Sequence, residues 1–107
     1  MPRKNKYIPS IMQTGEPECY LCHKKNPPFE LHHAISGNGN RAICTELGLW
    51  IWLCPKCHRD LHEKNIGYKE VQADAQKSFI KDQRKKGFTE EVAREIWYER
   101  FKKFYEG

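Results

Sequence analysis

Two short segments alternate between apolar and polar side chains, which is the pattern of a half-buried β-strand. They are residues 29–35 and residues 49–53. In the second segment Trp50 and Trp52 lie on one face of the strand, and Ile51 and Leu53 lie on the other. We therefore expect a pair of short strands, one of them with an apolar face of branched side chains.

Helical patterns follow each predicted strand. Ile43 and Leu47 stand four residues apart before Gly48, which predicts two helical turns ending at the glycine. Residues 36–40 form a glycine- and asparagine-rich loop before this helix. After the second strand, Pro55 suits a first helical turn, and we expect a helix from Cys57 onward.

Two amphipathic helices are predicted after Gly67. Val71, Ala75 and Phe79 recur every four residues in the first of them. Thr89 is a predicted N-cap for the second. Its residues on one side are Val92, Ile96, Arg100 and Phe104. We expect both helices to pack on the core; a partner surface is the alternative for their aromatic residues Phe79, Trp97, Phe101 and Tyr105.

The chain divides into three segments of one α+β domain. Residues 1–18 form an irregular basic arm with scattered prolines, residues 19–66 hold the strands and the motifs described below, and residues 67–107 form the helical extension. The chain has 107 residues, 38% of them hydrophobic, and a mean hydropathy of −0.88. Its core must therefore be small, and a metal staple is expected.

The cellular setting is predicted from what the sequence lacks. No apolar run is long enough to span a bilayer, and the polar start 1–6 has no signal-peptide hydrophobic region. We expect no membrane association and a cytoplasmic location.

Two CxxC pairs predict a structural zinc site. They are Cys19/Cys22 and Cys54/Cys57. Each CxxC turn presents two sulfurs, so two of them supply the four thiolates of a closed tetrahedral site. The fifth cysteine, Cys44, is expected to be a small buried side chain.

Four histidines remain for other chemistry, namely His32, His33, His58 and His62. Imidazole is a common ligand of borderline metals and the usual general base near neutral pH. His58 and His62 are four residues apart, so they share a helix face. His58 and His23 each directly follow a CxxC pair, so either could replace a cysteine as a zinc ligand or lie on the surface. We assign His23 to the surface.

The net charge of +5 favours a polyanionic partner without locating its site. The best candidates for phosphate contacts are Arg3, Lys4, Lys6, Arg84, Lys85 and Lys86, with a solvated surface as the alternative for each. Trp50 and Trp52 have base stacking as an alternative to the core packing that we expect.

The order of these motifs resembles the HNH endonucleases, and most closely the small four-cysteine HNH proteins of phages and prophages. The resemblance covers Cys19 to His62, through C-Y-L-C, E-L-H-H, G-x-x-N-R, T-E-L-G-L and L-C-P-K-C-H. It implies a zinc-stapled, treble-clef-like ββα-metal core with two C-terminal helices. It also implies a metal-dependent DNA endonuclease of a bacterial or phage-infected cell, which hydrolyses phosphodiesters to a 5′ phosphate and a 3′ hydroxyl.

The resemblance also implies the roles of individual residues. His33 would be the general base that takes a proton from the attacking water. The second ion, Mg²⁺, Mn²⁺, Ni²⁺ or Zn²⁺, would be bound by His32, His58 and His62. Arg41 would add a positive contact to the scissile phosphate.

The chain departs from the family pattern at its asparagine. The family's asparagine position falls on Leu49, nine residues before His58. Asn40 is expected to hold the histidine loop instead, and Asn38 is the alternative. This departure favours a second hypothesis, a zinc-finger module that binds nucleic acid without cutting it. A third is an adaptor whose C-terminal helices bind a protein partner, which exposed Trp97 and Phe101 would support.

Overall fold

A two-stranded antiparallel sheet and four helices form a small α+β fold. The structure is a computed structural model, and it describes residues 9–37 and 39–106. In chain order the elements are β1 Glu30–His33, α1 Asn40–Leu47, β2 Trp50–Leu53, α2 Pro55–Lys64, α3 Tyr68–Lys85 and α4 Glu90–Phe101. The radius of gyration is 14.1 Å, close to the value of about 13 Å expected for a compact domain of this length.

The two predicted strands pair with each other. His32 faces Ile51 and His33 faces Trp50 across the sheet. Ile51 is buried, whereas Trp50 and Trp52 are only partly buried, so the core packing expected for the two tryptophans is incomplete. Both strands are shorter than the alternating segments, and just beyond the paired residues the Ala34 N–H donates to the Leu49 carbonyl at 3.0 Å.

The helices on either side of β2 begin and end at residues suited to those positions. α1 ends at Gly48, whose φ of 77° requires the left-handed conformation that glycine adopts readily, as predicted. α2 begins at Pro55, two residues before the predicted start at Cys57. The reason is that the missing N–H of a proline at the first helical position would have no intrahelical partner in any case.

The C-terminal helices supply much of the core. Val71, Ala75 and Phe79 of α3 are buried, as predicted, and the Thr89 side chain accepts a hydrogen bond from the Val92 N–H at 3.2 Å. In α4 the side marked by Val92 and Ile96 is not the buried one, whereas the core packing expected of Trp97 and Phe101 is confirmed. The buried residues of α4 are Ala93, Trp97 and Phe101.

Aromatic packing explains the orientation of α4. The Trp97 ring lies 5.6 Å from that of Phe79 and 4.3 Å from that of Phe101, between ring centroids. Burying these large rings removes more apolar surface from water than burying Val92, which is 37% exposed. Trp97 and Phe101 are core residues, so the exposure that would have favoured a partner surface there is not found.

The described part of the N-terminal arm, residues 9–18, contains no helix or strand, as predicted. It is nevertheless attached to the exposed edge of β2. Ser10 Oγ donates to the Trp50 carbonyl at 2.6 Å, and Gln13 Oε1 accepts from the Trp52 N–H at 2.8 Å. The predicted phosphate contacts Arg3, Lys4 and Lys6 lie outside the described residues.

None of the described helices combines the length and the apolar character that a membrane span requires.

Candidate functional site

The four CxxC cysteines converge on one point. Cys19 and Cys22 lie in the turn before β1, and Cys54 and Cys57 lie at the start of α2. Their four sulfur atoms all lie within 4.8 Å of one another, and Cys22 Sγ and Cys54 Sγ are 3.9 Å apart. A tetrahedral zinc ion with Zn–S bonds of about 2.3 Å would place its sulfurs about 3.8 Å apart. The cluster therefore fits a structural metal ion such as zinc.

Backbone N–H groups donate hydrogen bonds to two of the four sulfur atoms. Cys19 Sγ accepts from the Cys22 N–H, and Cys54 Sγ accepts from the Cys57 N–H, both at 3.5 Å. Burial would raise the pKa of Cys19, but hydrogen bonds from backbone N–H groups outweigh it and lower the pKa to about 6. Burial, followed by the neighbouring thiols, raises the pKa of Cys57. Four thiolates in this space thus require a positive charge among them.

Three of the predicted histidines form a second cluster. His32 extends from β1, while His58 and His62 lie one turn apart on α2. One ring nitrogen from each of the three lies within 4.8 Å of the other two. The strand and the helix thus bring together donors that are separated by as many as 30 residues in the sequence.

The buried member of this cluster lacks a hydrogen-bond partner within the described part of the chain. His32 is 4% exposed, and its Nε2 is the orphaned atom. Burial, then the neighbouring His58 and His62, lower the pKa of His32 to about 4, so the ring is neutral at physiological pH. A neutral, desolvated nitrogen beside two other imidazoles is suited to coordinating a divalent transition metal.

A carboxylate orients the second histidine. Glu30 Oε1 lies 2.7 Å from His58 Nδ1, so Nδ1–H donates to the carboxylate and Nε2 keeps the lone pair for a ligand. Glu30 was not among the site residues predicted from the sequence. The signal was present, since Glu30 and His32 are two residues apart on a strand and therefore share a face of the sheet.

A cleft of about 420 Å³ lies beside the histidine cluster. Its lining residues are Leu31, His32, His33, Ile35, Ser36, Gly37, Arg41, His58 and His62. The structure therefore gathers five of the predicted site residues around one space, and His33 lies in it without belonging to the set of three possible ligands. Burial, then the positive charge of Arg41, lower the pKa of His33, which keeps its imidazole neutral.

The candidates for the asparagine role are placed differently. Asn40 does not line the cleft; its Nδ2 donates to the Ser36 carbonyl at 2.9 Å, which ties the loop after β1 to the start of α1. Leu49 is fully buried, and Asn38 lies outside the described residues. A second residue missed by the sequence argument is Thr45, whose Oγ1 lies 3.0 Å from His33 Nε2.

Basic side chains line a groove between α3, α4 and the end of the chain. The cations in this groove are Lys77, Lys81, Arg84, Lys85 and Arg94. Arg84 pairs with Glu90 at 3.9 Å, and Arg94 pairs with Glu106 at 3.1 Å. Among residues 9–37 and 39–106, the three lysines form no ion pair. Their four-residue spacing places them on one helix face, which is a candidate surface for a polyanion.

Comparison with known proteins gives no relative: no family model matches the chain, and the searches of the curated proteins and of the solved structures found no match.

The His62→Ala variant tests the histidine cluster. Losing one of three nitrogens should lower the affinity for Ni²⁺ or Mn²⁺ by at least about 100-fold, since even an outer-shell partner can be worth that much. Titration calorimetry on protein carrying one zinc per chain would measure this. His23→Ala is the matched control, because His23 is exposed and pairs with Glu18 outside the cluster. Equal affinity in His62→Ala and wild type would show that His62 is not a ligand.

Proposed function

We propose that this protein is a metal-dependent DNA endonuclease of the HNH type, with the treble-clef-like ββα-metal core of the small phage and prophage members. The observation that carries the proposal is the cleft in which His33 and Arg41 lie beside the cluster of His32, His58 and His62. It combines a neutral imidazole outside the ligand set, a cationic side chain and three nitrogen donors. These are the parts that phosphodiester hydrolysis requires.

His33 acts as the general base in this proposal. It takes a proton from the water that attacks the scissile phosphorus. A base must be neutral before it can accept a proton, and burial together with Arg41 lowers the pKa of His33 in the required direction. Arg41 is exposed at the cleft, where its guanidinium can donate two parallel hydrogen bonds to phosphate oxygens.

His32, His58 and His62 hold the divalent ion. Such an ion supplies neutralisation of charge on the phosphate and on the departing 3′ oxygen. Glu30 keeps His58 in the orientation that this binding needs, through the contact of 2.7 Å at Nδ1. The products would be a 5′ phosphate and a 3′ hydroxyl.

The basic groove supports DNA as the substrate. Lys77, Lys81 and Lys85 present three positive charges without a paired carboxylate among the described residues, and the whole chain carries +5. Phosphate contacts of this kind bind nucleic acid with little sequence preference and weaken as salt is raised.

The Arg41→Gln variant should shift the pH dependence of cleavage. Removing the positive charge stabilises the His33 imidazolium, so the pKa of His33 rises and the acidic limb of kcat/KM moves to higher pH. On the plateau, loss of the phosphate contact should lower kcat/KM by about 10- to 100-fold. Cleavage rates measured from pH 5 to 9 would give both quantities.

Arg59→Gln is the matched control for Arg41, because Arg59 is an exposed arginine of α2 that does not line the cleft. The acidic limb of kcat/KM in Arg59→Gln should coincide with that of the wild type. An unchanged limb in Arg41→Gln would contradict the proposed influence of Arg41 on the base.

Nicking of supercoiled plasmid tests the proposed function. Protein with zinc only at its cysteines should be inactive without a second ion, become active on addition of Mn²⁺, Mg²⁺ or Ni²⁺, and lose activity again with EDTA. Elemental analysis before and after would verify that the cysteine-bound zinc is retained. Absence of strand breaks with every ion would overturn the proposal.

The second candidate function is a nucleic-acid-binding module without catalysis. The observation that favours it is Leu49, which occupies the family's asparagine position and lies wholly in the core. It predicts DNA retention in a gel shift that weakens with salt, and no metal-dependent breaks.

A further inference from the structure

The groove between α3 and α4 contains a recessed amide. Gln76 of α3 lines the groove and is only 3% exposed. Its Oε1 accepts a hydrogen bond from the Tyr105 N–H at 2.6 Å, which identifies the other amide atom as the donor Nε2. Within the described part of the chain, Nε2 donates to no other group. A largely buried donor without a partner is suited to an acceptor atom of a bound molecule.

Exposed lysines flank the same groove. Lys77, Lys81 and Lys85 lie on successive turns of α3, and all three are exposed. Because a helix rises about 1.5 Å per residue, the first and the third are about 12 Å apart along the axis. One strand of a duplex carries a phosphate for about every 3.4 Å of its axis. The lysine row is therefore long enough to contact three successive phosphates.

The arginines of the groove are already engaged by carboxylates. Arg94 donates to both carboxylate oxygens of Glu106, at 3.3 and 3.1 Å. Arg84 pairs with Glu90 at 3.9 Å. The positive charge that the groove offers to a ligand therefore comes from the three lysines.

We propose that this groove binds a single strand of nucleic acid, with phosphates on the lysine row and the edge of one base at Gln76. The inference rests on the proposed function for its choice of nucleic acid, and it adds that the DNA held here is unpaired. Ala73 and Ile80 contribute apolar surface to the lining, which suits the face of a base.

The shape of the groove favours a single strand over a duplex. Its volume is about 820 Å³, within the range of about 300–1,000 Å³ for sites that enclose a small molecule. A base that is paired and stacked inside a duplex cannot reach a recessed amide, whereas an unpaired base can be turned outward to meet it.

Fluorescence anisotropy measures strand binding without any cleavage. The protein carries zinc at its cysteines and no second ion, so the DNA stays intact. The probe is a labelled thymidine oligonucleotide of about 12 nucleotides, within the site sizes of single-strand-binding folds. A blunt hairpin duplex with an equal number of phosphates is the comparison. Wild type should bind the single strand at least about 10-fold more tightly, since one well-contacted base changes affinity by about 5- to 150-fold.

The triple variant Lys77→Gln/Lys81→Gln/Lys85→Gln tests the phosphate contacts. Each lost contact to a single strand lowers the slope of log K against log salt concentration by about 0.7, so the slope should fall by about 2. The affinity for the strand at low salt should fall by about 10- to 100-fold.

The matched control is Lys24→Gln/Lys64→Gln/Lys69→Gln. These three lysines are exposed and lie outside the groove, and their replacement changes the net charge by the same amount. The control should keep the wild-type slope, because it removes only a general attraction and no phosphate contact in the groove.

Gln76→Glu tests the base contact. The glutamate retains an oxygen for the Tyr105 N–H and replaces the amide donor with an acceptor. The preference for single strand over duplex should fall by at least about fivefold. The preference is the informative quantity, because the added negative charge weakens the binding of both ligands. An unchanged preference in this variant would overturn the base contact.

The outcomes separate the groove from the nuclease. Duplex binding as tight as single-strand binding in the wild type, or an equal loss of slope in both triple variants, would overturn the proposal. The lysines are exposed, so these two measurements decide the question even if Gln76→Glu does not fold. If the wild type nicks no plasmid with any ion, the proposed function fails, whereas the anisotropy still determines whether the groove binds a single strand.

Discussion

Replacing Cys54 with serine should remove the zinc and unfold the domain at room temperature. Cys54 is 3% exposed, belongs to the cysteine cluster and caps α2 through its sulfur. Structural zinc sites contribute about 10–16 kcal/mol of apparent binding free energy, whereas a small domain has a net stability of only about 5–15 kcal/mol. Circular dichroism melting together with zinc analysis would measure the effect.

Cys44→Ser is the control for the Cys54 substitution. Cys44 is equally buried but lies outside the cluster, and its sulfur contacts the Ile35 carbonyl at 3.6 Å. That variant should retain one zinc per chain and a cooperative transition, with a lower midpoint. A Cys54→Ser protein with wild-type zinc content and melting would refute a structural zinc site at the cysteines.

Local signals were sufficient for most of the secondary structure. Gly48 and Thr89 mark a helix end and a helix start by their own conformational and hydrogen-bonding preferences, and both act at the predicted positions. Alternation also separated the two faces of β2, although it did not show that Ile51 and Leu53 form the buried one. These features depend on neighbours within a few residues, so the sequence contains the information directly.

The orientation of α4 depended on tertiary packing instead. The sequence offers adjacent stripes, one containing Val92 and Ile96 and the other containing Trp97 and Phe101. The choice between them follows from the space beside Phe79 on α3, which periodicity within a single helix cannot reveal.

In the candidate site too, some features followed from local sequence spacing and others depended on tertiary contacts. Spacing alone predicted that His58 and His62 share a helix face, the family resemblance assigned His32 to the same set, and the structure brings ring nitrogens of all three within 4.8 Å of one another. The contact between His33 and Thr45 joins a strand to a helix across a loop, so it could be recognised only once α1 was known to lie against β1. One partial signal existed, since Thr45 is four residues after Arg41 and shares its side of α1.

His33→Ala should separate DNA binding from cleavage. The His33 ring lies in the cleft but outside the set of possible ligands, so its removal should preserve the fold, the zinc and the affinity for the second ion. Cleavage should fall by about 10² to 10⁴, the usual contribution of a general base. Nicking rates and gel-shift affinities, measured on the same preparations, would give the comparison, with His23→Ala as the control at an exposed histidine outside the cleft.

The most direct measurement compares wild type and His33→Ala side by side on supercoiled plasmid, with Mn²⁺, at one ionic strength and with equal zinc content. The proposed endonuclease mechanism predicts that both proteins retain DNA equally and that only the wild type nicks it at an appreciable rate. Equal cleavage by the two proteins would remove His33 from the mechanism. DNA retention by both without breaks in either, repeated with Mg²⁺, Ni²⁺ and Zn²⁺, would contradict the nuclease and identify the protein as a binding module.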